Sequence, residues 1–230
     1  EECIKYFDLN TNYEDIKDAL LIVLDVPNMW RVDGIEGLKF KEILRIDHHP
    51  SEDIKAVVDW CDITCSSTCQ MVSELIMDTK LVLNTKIASN LFLGMVSDSD
   101  RFLLKNITAH TFEVAARLIR ESNLDFPPLY DKLYIRPFSE KVFQAYIINN
   151  LVVDESGLAY IKINDDVLKE YNVDAATVTN MINDFNFTED YVVWTFIVND
   201  PRNDQIKVSI RSRGPVVNTI VVPTTQLTEG

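Results

Sequence analysis

The chain has 230 residues, 47% apolar and 25% charged, enough for one large domain or two modest ones with a real core. Its net charge of −14, from 36 acidic and 22 basic residues, excludes sequence-independent binding along long duplexes, which needs an extended basic footprint. No stretch reaches the about 18 uncharged apolar residues of a transmembrane helix, and Glu1-Glu2-Cys3-Ile4-Lys5 has no signal-peptide character, so a cytoplasmic protein without a membrane partner is expected.

Ala19-Leu20-Leu21-Ile22-Val23-Leu24 is a continuous apolar run, the pattern of a strand buried on both faces of a sheet, and it ends at Asp25 before Val26-Pro27-Asn28. A polar connection with Gly34 and Gly37 leads to Glu42-Ile43-Leu44, the end of a second short buried strand, and then to Arg45-Ile46-Asp47-His48-His49-Pro50. That motif takes two of the chain's three histidines. A strand's carboxyl end is where open α/β sheets hold ligands. Neutral imidazole is a common metal ligand, and a neighbouring carboxylate fixes its tautomer. A polar turn closed by Pro50 would leave the same letters. The acidic ending repeated at Asp25 favours the ligand reading.

Ala56 to Trp60 suggests another strand. Ser66-Ser67-Thr68 precedes an apolar face at Met71, Val72, Leu75 and Ile76, an N-cap cluster opening an amphipathic helix. Cys61, Cys65 and Cys69 have C-x3-C-x3-C spacing, and Cys3 stands apart. With no second Cys pair, reduced structural thiols are favoured over a zinc or iron–sulfur site. Asn84 caps a second helix with Ile87, Leu91 and Phe92, running into a third acidic turn, Ser97-Asp98-Ser99-Asp100-Arg101. Thr108 caps the next, with a buried stripe expected at Phe112, Ala115, Ala116 and Ile119, and His110 reads as surface or packing.

Residues 129–149 look helical and suit a connection between two domains. Beyond them, residues 151–154 and 158–163 read as a hairpin, Asn164 and Asp174 as caps of two short helices, and 191–198 with 206–210 as a second strand pair: a small α+β domain. Lys207-Val208-Ser209-Ile210-Arg211-Ser212-Arg213-Gly214 is the strongest basic cluster. Its planar guanidinium groups suit phosphate, although cations also protect edge strands.

Together, Leu24-Asp25, Asp47-His48-His49, Ser66-Ser67-Thr68, Gly94-Met95-Val96-Ser97-Asp98 and Val208-Ser209-Ile210-Arg211-Ser212 resemble the DHH phosphoesterase superfamily, in its first subfamily with the DHH-associated C-terminal domain. The nearest branch is the bacterial nanoRNase/oligoribonuclease type, which also dephosphorylates 3′-phosphoadenosine 5′-phosphate. The resemblance implies an α/β fold: a parallel-sheet DHH domain (1–122), a helical linker (123–149) and a smaller α+β DHH-associated domain (150–230). It also implies a phosphoesterase using two Mn²⁺ ions, with Mg²⁺ or Co²⁺ as alternatives. Asp25, His48 and Asp98 would be metal ligands, Asp47 and His49 catalytic, and Arg101, Ser209, Arg211 and Ser212 substrate-binding. Short single-stranded oligonucleotides or small nucleotide phosphates would be its partners, and a homodimer is compatible. The family's opening His-x-x-x-Asp-x-Asp motif and its Gly-Gly-Gly-His loop find no match, so parts of the DHH and DHH-associated domains are expected to be missing from the sequence. The alternatives are a cyclic-dinucleotide phosphodiesterase, an inorganic pyrophosphatase, or a nucleotide-binding module with a degenerate metal centre.

Overall fold

Three parallel strands begin the computed structural model, which describes residues 17–214 except Asp33 and Glu36. Cys3 therefore lies outside the described residues. Strand β1 (Leu20–Leu24) pairs with β2 (Glu42–Asp47), and β2 with β3 (Val58–Cys61), both in parallel. Leu24 stands opposite Ile46, which sets Asp25, one residue past β1, level with Asp47 at the end of β2. The second strand is longer than its apolar letters suggest because Arg45 and Asp47 continue it, and both are fully buried.

Burial on both faces does not hold for β1: Leu20, Ile22 and Leu24 are about half exposed, at 49%, 54% and 47%. It is the outer strand of the described sheet. Helix α1 (Thr68–Met77) sets Met71, Val72 and Leu75 over Leu44, Ile46 and Trp60 of the other two strands. Helices α2 (Thr85–Asp98), α3 (Ala109–Ser122) and α4 (Pro127–Tyr134) build a second core around Phe92, Met95 and Leu118. Ser67, Asn84 and Thr108 cap α1, α2 and α3, each side-chain oxygen accepting a first-turn amide. The buried stripe of α3 has the expected period with its phase shifted: Val114, Ala115 and Leu118 are buried, whereas Phe112 is exposed and meets the Phe102 ring at 5.2 Å.

The chain divides into two compact units, 1–135 and 136–230. The helical segment expected to connect them is two helices. Leu129 of α4 packs in the first unit, and Phe143 and Ile147 of α5 (Phe138–Asn150) pack in the second. The break falls at Ile135-Arg136-Pro137, where Pro137 disfavours helical backbone in the residue before it.

In the second unit β4 (Val152–Val153) is antiparallel to β5 (Leu158–Ile163), as the hairpin reading expects. Helices α6 (Asp165–Tyr171) and α7 (Ala175–Met181), capped by Asn164 and Asp174, carry the chain across to β6 (Val193–Asp200), which runs parallel to β5. Strand β7 (Gln205–Ser212) returns antiparallel to β6 and closes a four-stranded sheet of order β4-β5-β6-β7. Phe143, Ile161, Val178, Trp194 and Phe196 form its core. Among the described residues no helix is long and apolar enough to cross a membrane.

Candidate metal centre

Asp25 follows β1 in left-handed backbone (φ 63°), a conformation aspartate tolerates better than most residues. Its amide donates to the Ile46 carbonyl at 3.2 Å, and its Oδ1 accepts the Thr68 hydroxyl at 2.8 Å. Thr68 is the first residue of α1, so this carboxylate sits at the positive end of a helix dipole. Asp98 has the opposite setting. The sequence suggests a turn after apolar residues; instead Asp98 is the last residue of α2, where the dipole disfavours an anion.

After α2, Asp100, Arg101 and Phe102 are all left-handed, with φ of 45°, 64° and 65°. Left-handed backbone costs an L-residue roughly 1–2 kcal/mol. Buried Ser99 holds this reversed turn, its hydroxyl accepting the Phe102 amide at 2.9 Å and donating to the Met95 carbonyl at 2.5 Å.

His48 brings the two carboxylates together. Its Nε2 lies 3.1 Å from Asp98 Oδ2 and 3.5 Å from Asp25 Oδ1. That nitrogen is buried without a well-formed hydrogen bond; its geometry toward Asp98, not the distance, excludes one. The other ring nitrogen, Nδ1, faces the Cys65 carbonyl at 3.4 Å. Asp25, His48 and His49 offer donor atoms within 4.8 Å of one another. His49 Nδ1, however, is engaged by Asp47 Oδ1 at 2.8 Å, which leaves His48 as the imidazole with a bare nitrogen facing both acids. Carboxylate oxygen with neutral imidazole suits Mg²⁺, Mn²⁺ or Zn²⁺, so these side chains fit a divalent cation.

Arg45 is the member the motif reading missed. Two residues before Asp47 on a strand, it faces the same side. Fully buried, it donates to Asp47 Oδ2 at 2.7 Å, to Asp59 Oδ1 at 3.0 Å, and to the Val26 and His49 carbonyls at 3.1 Å each. A lone cation in an apolar strand, spaced by two from an acid, was the available signal. Burial alone would raise the Asp47 carboxyl, but the Arg45 hydrogen bond, then the amide and ring of His49, hold it below its ordinary value. The Asp98 carboxyl is pushed above its ordinary value by desolvation; His48 opposes this, and the charge on Asp25 adds to it.

The expected substrate residues fall in both units. Arg101 is exposed, pairs with Asp100 at 3.1 Å and lies 5.4 Å from the centre of the Tyr134 ring. In the second unit Ser209 and Arg211 pair with Phe196 and Trp194 and share one face of β7, while Ser212, opposite Val193, turns to the other. Arg211 donates to Asn183 Oδ1 at 3.1 Å. The other cations of this cluster do structural work: Lys207 pairs with Asp200 at 2.7 Å, and Arg213 donates to the carbonyls of Thr188 and Tyr191. His110 is a surface residue facing Glu74 at 3.1 Å. Cys61, Cys65 and Cys69 are free and join no metal-ligand group among the described residues; burial pushes the thiols of Cys65 and Cys69 up to about 12 and about 11.

The family model for the DHH family, N-terminal domain, matches residues 2–95. The chain is 32% identical over 208 residues to the bifunctional oligoribonuclease and PAP phosphatase NrnA of Bacillus subtilis (strain 168), an alignment covering 89% of this chain and 66% of that protein. It is 28% identical over 207 residues to the probable bifunctional oligoribonuclease and PAP phosphatase NrnA of Streptococcus mutans serotype c, covering 90% and 66%. The chain thus spans 66% of the length of these two relatives. Among solved structures, an exopolyphosphatase-related protein from Bacteroides fragilis superposes with a TM-score of 0.77 at 19% identity, covering 86% of this chain and 60% of that one, a likeness of fold.

Proposed function

Because this chain belongs to the DHH family, we propose that it is a metal-dependent phosphoesterase acting on very short single-stranded oligonucleotides and on small nucleotide phosphates such as 3′-phosphoadenosine 5′-phosphate. One observation carries the reading: a buried imidazole nitrogen without a hydrogen bond, facing two carboxylates brought in from separate elements.

Asp25, His48 and Asp98 would hold the ion, with Mn²⁺ as our assignment and Mg²⁺ or Co²⁺ as alternatives. Bound there, a divalent cation supplies Lewis-acid polarisation of a phosphoryl oxygen and activation of water at neutral pH. A pair of such ions wants about six ligands each, so further donors from protein, substrate or solvent belong to the proposal.

The chain's own residues do the rest. Thr68 orients the Asp25 carboxylate. Asp47, locked by Arg45, accepts both the amide and the ring Nδ1 of His49, which fixes the ring and leaves its Nε2 to face the substrate. Arg101, three residues past Asp98, adds a cation, and in the second unit Ser209 and Arg211 offer a hydroxyl and a guanidinium on one face of β7 for a nucleotide phosphate. A few local cations suffice for a short ligand, which reconciles nucleotide chemistry with a net charge of −14. Three free thiols, with no disulfide among the described residues, agree with a cytoplasmic setting.

The test is hydrolysis of a diribonucleotide and of 3′-phosphoadenosine 5′-phosphate by the full-length protein, with Mn²⁺ and with chelator. Asp25→Asn and Asp98→Asn should each lower kcat/KM at least about 100-fold while leaving the melting temperature near that of the parent. Turnover retained in either variant refutes the assignment.

A further inference from the structure

His48 can offer a bare Nε2 only if its proton sits on Nδ1, and what holds that proton is the Cys65 carbonyl at 3.4 Å. The carbonyl is half of a peptide plane whose other half is the Ser66 N–H. In a trans peptide the two groups point in opposite directions, so whatever grips the N–H aims the C=O. The Ser66 amide donates to Gln70 Oε1 at 3.1 Å, and the Ser66 hydroxyl donates to the same oxygen at 2.8 Å. Gln70 cannot turn its amide round without losing a second bond, because its Nε2 donates to Glu74 Oε1 at 2.9 Å. Gln70 and Ser66 are 2% and 1% exposed, so water does not substitute for this clasp. Asn106 also donates to the Cys65 carbonyl at 3.3 Å, and an oxygen with two lone pairs can accept both bonds.

We infer that Gln70 is a positioning residue for the metal centre: through the Cys65–Ser66 peptide it selects the Nδ1–H tautomer of His48 and so keeps Nε2 available as a ligand. This rests on the proposed metal role of His48, and the two can fail separately. Outer partners of ligating histidines typically account for 10–100-fold in metal affinity. Replacing Gln70 should act in that range although the residue touches neither metal nor substrate.

The experiment reads the His48 ring nitrogens by ¹⁵N spectroscopy in the metal-free full-length protein, at a pH where the ring is neutral, and titrates the same protein with Mn²⁺ alone. The parent should show protonated Nδ1 and bare Nε2. Gln70→Met, matched in length but without an acceptor, should mix the tautomers and weaken Mn²⁺ binding about 10–100-fold. It should lower kcat at saturating substrate more than it raises KM. Gln70→Glu combined with Glu74→Gln, which restores the acceptor oxygen and keeps the second bond with donor and acceptor exchanged, should recover most of the affinity. If Gln70→Met does not fold, Glu74→Ala leaves the buried residue in place and frees its amide; its tautomer mixture and several-fold weaker binding then carry the test. An Nε2–H tautomer in the parent, or unchanged affinity and tautomer in the variants, overturns the inference. A parent with the expected tautomer but no affinity for Mn²⁺ overturns the proposed function instead.

Discussion

Replacing Arg45 with methionine tests how the motif is braced. The stem volume is nearly kept, but the guanidinium that bonds Asp47, Asp59 and the Val26 and His49 carbonyls is lost. Asp47 is 0% exposed and becomes a buried carboxylate without its cation. Removing one partner of a buried ion pair costs about 3–5 kcal/mol. The amide and ring of His49 still reach Asp47 at 3.0 and 2.8 Å, which places the expected loss near the lower end, about 3 kcal/mol. Asp59 adds little, since its side chain is 33% exposed and water screens it. Against a native stability of about 5–15 kcal/mol this is a large fraction, a fall in Tm on the order of 10 °C. Urea unfolding followed by tryptophan fluorescence measures it. Arg45→Met with Asp47→Leu should recover most of the loss, because replacing both partners by apolar groups is often neutral. Hydrolysis should be abolished in the double variant, since His49 loses its anchor. A loss under about 1 kcal/mol for Arg45→Met, or strict additivity of the two substitutions, would refute the bracing argument.

Gly94→Ala in α2 tests a close helix approach, because a Cβ there would overlap the sulfur of Cys69 on α1. Helix propensity alone favours alanine by about 1 kcal/mol, whereas overpacking costs about 1–3 kcal/mol, so the single variant should melt lower. Adding Cys69→Ala removes the sulfur but keeps a Cβ 3.1 Å away, so it should recover only part of the loss; a stabilised single variant contradicts this. In the second unit the Asp154, Asp174 and Asp200 carboxyls are held below their ordinary value, by the Ser156 hydroxyl, the Thr177 amide and Lys207 respectively. Depressed acids stabilise the fold above the unfolded value of about 3.9 and lose that contribution as pH falls through their folded values. Melts read at buried Trp194, in a Trp30→Phe, Trp60→Phe background, should fall as pH drops from about 6 to about 3, and Lys207→Met should flatten the slope. A pH-independent melt counts against it.

What could be read in the letters was local chemistry. Ser67, Asn84, Thr108, Asn164 and Asp174 all cap the helices they announce, because capping depends on one side chain and the next turn. The strands around Asp25 and Asp47 were visible for the same reason, as apolar runs ended by acids. What escaped depends on tertiary neighbours. Continuous apolar letters cannot tell an outer strand from an inner one, hence the exposure of Leu20, Ile22 and Leu24. Asp98 was read as part of an acidic turn after apolar sequence; it ends a helix instead, where an acid is unfavourable and the proposed site overrides the preference. The α3 stripe slipped by one position because Phe112, large and apolar, packs on Phe102 rather than inward. Ser212 was grouped with Ser209 and Arg211 through the family resemblance, and strand alternation sets it on the other face of β7.

The pairing pattern also sets an order of assembly. Strands β6 and β7 are joined by the short turn at residues 201–204 and can zip on the microsecond scale of a hairpin. Parallel β5 and β6 must wait for α6 and α7 to bridge them. The proposed metal centre is more demanding: the Asp25–Thr68 bond alone closes 43 residues, and His48 meets Asp98 only once α2 has docked. During synthesis, local ladders can therefore form well before Asp25, His48 and Asp98 meet. A nascent chain would have little affinity for a divalent ion until its first unit is nearly complete, so ion capture would follow folding rather than template it.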